Sequence, residues 1–169
     1  MKIGFLFISL ALIFKAGLIF KAGVKPEPQP TFDKSGYYHV MASGDRTAID
    51  SELVVLTRAM PKEKEAYEGA LQMRKAGLLR RPKEKLAIFR SGAVKLETAM
   101  AKDTGNGEYH FLRLIIQEHA PAAVHYHNDI EKDSQYIYKI FKTLSPVVQK
   151  AILDYSPHSN RLHAKELNG

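Results

Sequence analysis

The sequence contains no cysteine among its 169 residues. Without thiols it cannot form a disulfide, a thiolate zinc site or an iron–sulfur cluster, and it cannot carry a lipoprotein anchor or a cysteine nucleophile. The absence leaves the redox compartment open, because a chain without cysteine folds in either an oxidising or a reducing environment.

The motifs of common enzyme classes are missing as well. There is no HExxH arrangement, no phosphate-binding loop and no dinucleotide fingerprint. Arg90-Ser91-Gly92 has neither the flanking glycine nor the strand that an activated serine needs, and no segment alternates convincingly as a strand. We therefore predict no catalytic residue and no cofactor, and we expect the protein not to be an enzyme.

Residues 1–24 have the pattern of a targeting segment. Lys2 precedes the apolar run IGFLFISLALIF, which is shorter than the roughly 20 residues of a comfortable membrane span. The hexapeptide LIFKAG follows twice in tandem, at 12–17 and 18–23, without a good small-x-small cleavage site. We predict a signal peptide, with an uncleaved membrane anchor as the alternative. The leader holds three lysines and no acid, so its removal would lower the formal charge from +7 to +4.

Residues 25–46 are predicted to be a Pro-rich flexible spacer. The run KPEPQP favours extended, polyproline-like backbone, and the residues after it mix turn formers with a short apolar patch. A partner-binding strand at Tyr37 and Tyr38 is the alternative for this stretch.

Apolar residues at spacings of three and four predict about six helices between residues 47 and 156. The first begins at Thr47 as N-cap, and the second, PKEKEAYEGALQMRKAG, has Gly77 just past its end as C-cap. Around Gly69 the second helix has a face of small residues that would let a neighbouring helix approach closely.

The last two helices begin at Asn128, in a capping box with Glu131, and at Ser145-Pro146. Residues 157–169 are predicted to be a flexible tail. The expected fold is all-α, built from antiparallel helical hairpins as an α-solenoid fragment or a compact bundle.

Residues 82–121 form the central hairpin of this prediction. Pro82 suits the first helical turn, the residues from Asp103 to Gly107 supply a turn and a cap, and Pro121 ends the second helix. The inward stripes are Leu86, Phe89, Ala93, Leu96 and Met100 on the first helix, and Tyr109, Leu112, Ile115, Ile116 and His119 on the second. Arg113 is expected to reach an acid on a neighbouring helix.

The segment LETAMAKDTGNGEYHFLRL, residues 96–114, resembles the junction between consecutive tetratricopeptide repeats. Ala99, Asp103, Asn106, Glu108 and Tyr109 carry the resemblance. A longer stretch, from about Glu65 to Tyr155, is similar to a small family of exported bacterial α-helical proteins. These resemblances imply a helical fold and an exported location, and they imply no activity.

One residue cluster has the chemistry of a metal site: His119, His125, His127 and Asp129. Imidazoles and carboxylates are good ligands for zinc, nickel or copper. The spacing is unfavourable, because His125 and His127 would face different sides of a helix and Pro121 separates them from His119. A polar loop with incidental histidines is therefore the favoured interpretation.

A basic stretch connects the second and third predicted helices, with the cations Arg74, Lys75, Arg80, Arg81, Lys83 and Lys85. Together with Leu78 and Leu79, it could contact an anionic membrane surface or polymer, although such clusters are usually solvated helix ends. No recognition motif for nucleic acid accompanies it.

The leading hypothesis is an exported helical interaction or scaffold module that binds a protein or peptide partner in the cell envelope. It would work in the periplasm, or at the membrane if residues 1–24 remain attached. The alternative is a metal-binding protein that uses His119, His125, His127 and Asp129.

Overall fold

The structure, a computed structural model, describes residues 31–168. This part of the chain is all-α: it forms eight α-helices and three short 3-10 segments, and it contains no strand. The predicted fold class is confirmed. The α-helices are α1 (Lys34–Ser43), α2 (Arg46–Ala59), α3 (Lys64–Leu78), α4 (Pro82–Lys102), α5 (Gly107–His119), α6 (Ile130–Ile140), α7 (Pro146–Tyr155) and α8 (Ala164–Asn168).

Helix α5 lies at the centre of the fold, with ten of its 13 residues buried. One apolar cluster joins α5 to α1, α2, α3 and α4 through buried side chains such as Leu71, Leu96 and Leu112. A second joins the other side of α5 to α6, α7 and the C-terminal segment through Phe111 and Ile152, among others. Of the two predicted arrangements, the compact bundle is the one that fits.

Helices α3 and α4 form the most extensive helix pair, and they cross where Gly69 faces Gly92. A Cβ atom on Gly69 would lie 2.7 Å from the carbonyl oxygen of Gly92 and 2.7 Å from the amide nitrogen of Leu96. The small-residue face predicted around Gly69 is therefore real. The predicted central hairpin needs a correction, however, because α4 packs mainly along α3 and only secondarily against α5.

Several local signals are confirmed at helix ends. Pro82 opens α4, Asn106 caps α5 by accepting two backbone N–H groups, and Pro146 opens α7 after Ser145. Helix α5 ends at His119, before Pro121.

Three other predictions of helix caps were wrong. Asp45, rather than Thr47, caps α2, because its carboxylate accepts from the backbone N–H groups of residues 47 and 48. Gly77 lies inside α3, which continues to Leu78. The N-cap of α6 is Asp129 rather than Asn128, and its side chain makes no capping bond.

Two inward-facing predictions were also wrong: Leu86 is 37% exposed, and His119 lies on the surface.

The predicted flexible spacer at residues 25–46 was wrong where the chain forms helix α1, Lys34–Ser43. Asp33 caps the helix, and the side chains of Tyr37 and Met41 are buried in the first cluster. The Tyr37 hydroxyl donates to the carbonyl oxygen of Tyr67, 30 residues further along. A helix of such mixed composition forms because α2, α3, α5 and α7 pack against it. The strand alternative at Tyr37 and Tyr38 was wrong for the same reason.

The C-terminal segment is ordered as well, contrary to the predicted flexible tail. Leu162 is fully buried and Leu167 nearly so, both in the second cluster. Two apolar anchors in an otherwise polar sequence therefore pack this segment against the bundle.

The predicted leader lies outside the described residues. Within residues 31–168, no helix combines the length and apolar character that crossing a bilayer requires.

Candidate functional site

A buried polar network links α5 to α6. Asp133 is fully buried, and both of its carboxylate oxygens are bound by Arg113: Nε donates to Oδ2 and Nη2 to Oδ1, each over 2.7 Å. Burial lowers the pKa of the Arg113 guanidinium, but the hydrogen bonds and the charge of Asp133 outweigh burial and raise this pKa above its ordinary value. The predicted role of Arg113 is confirmed: it reaches an acid on a neighbouring helix.

His110 completes this network. Its Nδ1 lies 2.6 Å from Asp133 Oδ1, and its Nε2 lies 3.0 Å from the carbonyl oxygen of Thr104. Both ring nitrogens therefore face oxygen acceptors, and the ring packs against that of Tyr136 in a tilted arrangement with centroids 4.4 Å apart. This histidine has the contacts of a structural group that locks α5, α6 and the α4–α5 turn together.

The network continues to the surface through Glu97 on α4. Arg113 Nη1 donates to Glu97 Oε2 over 3.0 Å, and the Tyr126 hydroxyl donates to Glu97 Oε1 over 2.5 Å. Burial and the hydrogen bond to Glu97 raise the pKa of Tyr126 above its ordinary value. One further helix, α4, and the loop that carries Tyr126 are thereby fixed around one guanidinium group.

Above this network lies an open cleft of about 850 Å³ between the C-terminal half of α4 and the outer face of α6. We call it the α4–α6 cleft; its lining includes Met100 and Ala101 on one wall, Arg113 at the floor, and Lys132, Tyr136 and Lys139 on the other wall. It therefore combines apolar and aromatic surface with fixed hydrogen-bonding groups, which is the usual composition of a ligand site.

Some charged side chains of the α4–α6 cleft already have partners within residues 31–168, and others do not. Glu131 accepts from Gln135 over 2.7 Å and from Arg161 over 3.1 Å. In the part of the chain that the structure describes, Lys132 and Lys139 have no ion-pair partner. The wall formed by α6 thus offers two free cations to whatever enters the cleft.

Glu108 is a second buried acid, on the opposite side of α5. Its Oε2 lies 2.7 Å from Lys34 Nζ, and its Oε1 accepts from the hydroxyls of Tyr38 and Tyr67 over 2.8 and 2.9 Å. Burial and the nearby Glu108 charge raise the pKa values of both tyrosines well above their ordinary value. Because every contact is satisfied within the fold, the role of this centre is to fasten α1.

Glu118 holds the C-terminal segment in a similar way. It accepts from the Tyr155 hydroxyl, the Ser159 hydroxyl and the backbone N–H of Asn160, each over 2.8 Å. The carboxylate thus bridges α5 to the last residue of α7 and to the chain beyond it.

The four candidate metal ligands are not brought together. His119 Nδ1 lies 3.0 Å from the carbonyl oxygen of its own helix at Ile115, and His127 Nε2 lies 2.8 Å from the carbonyl oxygen of Ala120. His125 is exposed, at a backbone φ of 51°.

The carboxylate of Asp129 lies 3.5 Å from Arg113 Nη1, so it faces the α5–α6 network instead of the histidines. Residues 31–168 contain no group of three or more histidine or carboxylate side chains placed to hold a metal ion.

The predicted basic stretch is divided by the fold. Arg74 Nε donates to the carbonyl oxygen of Met41, and Lys75 lies 2.5 Å from Asp50, so both are engaged within the bundle. The remaining four, Arg80, Arg81, Lys83 and Lys85, surround the turn into α4.

Sequence reasoning missed the buried network around Asp133 and the acid Glu108. A signal for the network was present: His110, Arg113 and Gln117 are spaced by three and four in an otherwise apolar helix, which places a polar stripe on one buried face. Asp133 had no comparable signal, since an acid near the start of a helix is ordinarily a solvated one.

Comparison of the chain with protein-family models, with curated proteins and with solved structures finds no match.

Proposed function

We propose that the protein is a binding module rather than an enzyme, and that a peptide segment of a partner protein occupies the α4–α6 cleft. The observation that carries this proposal is the cleft itself, about 850 Å³ in volume. It is built on α4, α5 and α6, which Arg113 links through its contacts with Asp133 and Glu97. A rigid floor favours binding, because little side-chain freedom is lost when a ligand enters.

The composition of the cleft indicates the kind of segment that fits. Met100, Ala101 and Tyr136 offer apolar and aromatic contact, whereas Lys132 and Lys139 offer positive charge on one wall only. A segment with an apolar side chain toward α4 and a carboxylate toward α6 satisfies both walls.

The location of the module belongs to the same proposal. An exported protein, periplasmic or anchored at the membrane through residues 1–24 and facing the periplasm, is supported by the lysine and apolar run of the leader. Fractionation of cells that express a C-terminally tagged chain tests this part: recovery of the full-length chain with cytoplasmic markers would refute it.

Site-specific photo-crosslinking tests the binding site. A photoreactive residue at Gln135, exposed in the cleft, is expected to capture one partner, whereas the same residue at the exposed Lys150 on α7 is not. The captured protein is then purified, and its dissociation constant for the wild type is compared with that for K132E/K139E and for the matched control K150E.

We expect K132E/K139E to weaken binding by at least about tenfold, because two cations that face an acidic segment are replaced by anions. Equal affinities of the two variants, or equal crosslinking from both positions, would place the binding site elsewhere and refute the proposal.

A further inference from the structure

A second, smaller cleft lies at the turn between α3 and α4, away from the α4–α6 cleft. It has a volume of about 370 Å³ and is lined by Arg46, Leu78, Leu79, Arg80, Arg81 and Glu84. We call it the arginine pocket. Three of its six lining residues are arginines, and only one is acidic.

The arginines of this pocket come from separate parts of the chain. Arg46 is the first residue of α2, whereas Arg80 and Arg81 form the turn that leads into α4. Their common location is therefore a product of the fold, and a stretch of basic sequence alone would not produce it.

Compensating charge is scarce around these guanidinium groups. The acid nearest to Arg46 is Asp50, at 3.8 Å, and Asp50 lies closer to Lys75, at 2.5 Å. Among residues 31–168, Arg80 and Arg81 have no ion-pair partner. Three like charges around one small space repel one another, and a bound anion would relieve that repulsion.

The chemistry of the pocket is specific enough to suggest which anion. Guanidinium groups bind phosphate through two parallel N–H donors, with a geometry that an ammonium group cannot match. The adjacent apolar surface of Leu78 and the buried Leu79 would contact the organic group that carries the phosphate.

We propose that the arginine pocket binds a phosphate group on an organic carrier. The carrier is either a soluble phosphorylated molecule or the headgroup of an anionic phospholipid, since both present the same oxyanion. This inference is independent of the peptide-binding proposal, because the two clefts share no lining residue.

The test follows the arginine side chains of the full-length protein by NMR at constant ionic strength. Glycerol 3-phosphate is added in one arm, phosphatidylglycerol vesicles in a second, and neutral phosphatidylcholine vesicles in a third. In the wild type we expect saturable shifts of the Nε–H signals of Arg46, Arg80 and Arg81 in the first arm, the second, or both.

Variants then locate the binding. We expect R80A/R81A to weaken it by at least about tenfold, because charge-assisted hydrogen bonds are lost, and R80K/R81K to recover only part of it. The matched control is R58A/R90A, which removes two exposed arginines outside the pocket. Circular dichroism checks that each variant keeps its helix content.

Each outcome decides the matter. Shifts with glycerol 3-phosphate that R80A/R81A abolishes support a soluble ligand. Binding to phosphatidylglycerol vesicles alone, again lost in R80A/R81A, supports a lipid headgroup. If the wild type shows no saturable shift in either anionic arm, or if R58A/R90A loses as much affinity as R80A/R81A, the proposal is overturned.

Discussion

The crossing of α3 and α4 predicts that two glycine-to-alanine substitutions in one helix have opposite effects. Gly69 faces backbone across the crossing, whereas a Cβ atom on Gly77 would have no neighbour within 4 Å. Both positions lie in α3, so both substitutions gain helix propensity, about 1 kcal/mol at the interior Gly69 and less at Gly77 near the end of the helix. A loss of stability at Gly69 can therefore not come from propensity and reports the contact.

The size of the effect follows from the geometry. At Gly69 the new methyl group would lie 2.7 Å from two backbone atoms of α4. Ordinary van der Waals contact begins at about 3.4 Å, and backbone cannot rotate away as a side chain can, so the helices must separate. Overpacking of this kind costs typically about 1–3 kcal/mol, and the propensity gain offsets part of it.

We expect G69A to lower the free energy of unfolding by about 1–2 kcal/mol and G77A to raise it by about 0.5–1 kcal/mol. Urea unfolding, followed by circular dichroism, measures both. With an m-value of about 1.5 kcal/mol/M, the two midpoints should differ by about 1–2 M. If G69A is as stable as G77A, the close approach of the two helices is refuted.

Three further predictions concern the buried polar groups. Replacing Asp133 with alanine leaves Arg113 as a buried charge without its main partner, so D133A should lower the free energy of unfolding, measured in urea, by about 3–5 kcal/mol. The double variant D133L/R113L should lower it by less, and equal losses in the two variants would refute the pairing. E118A should increase hydrogen exchange in α8 without affecting α1, because Glu118 binds the end of α7 and the residues that lead to α8. A uniform increase in exchange would contradict this role. Burial raises the pKa values of Tyr38 and Tyr67, so these tyrosines ionise in the unfolded state first as the pH rises above about 10, and the free energy of unfolding should fall by about 1.4 kcal/mol per pH unit for each tyrosine. In alkaline unfolding, Y38F/Y67F should therefore lose stability less steeply with pH than the wild type, and an unchanged slope would show that neither hydroxyl contributes.

Local signals in the sequence predicted six helices, and the reason is physical. Pro82, Asn106 and Pro146 act on their own backbone or on that of the next few residues, so their effect does not depend on the rest of the fold. Amphipathic spacing acts over one helix in the same way. The positions of α2 to α7 could therefore be read from the sequence, with errors of only a few residues at their ends.

Helix α1 and the polar centres could not be predicted in this way, because their causes lie far along the chain. Tyr37 reaches its partner 30 residues away, and Lys34 reaches Glu108 across 74 residues. The same holds for the arginine pocket, where Arg46 meets Arg80 only after α2 and α3 have packed. The basic stretch was visible in the sequence, but the fold decides which of its cations remain available.

The ion pair between Lys34 and Glu108 also has a consequence in time. Because 74 residues separate the two side chains, α1 has no acid to bind until α5 has been synthesised. At about 5–20 residues per second, this takes about 4–15 seconds. Throughout that interval Lys34 lacks this partner, although Tyr37 can already reach Tyr67 on α3. In a chain destined for export, as proposed, the export machinery would therefore have this interval to engage the chain before α5 completes the bundle.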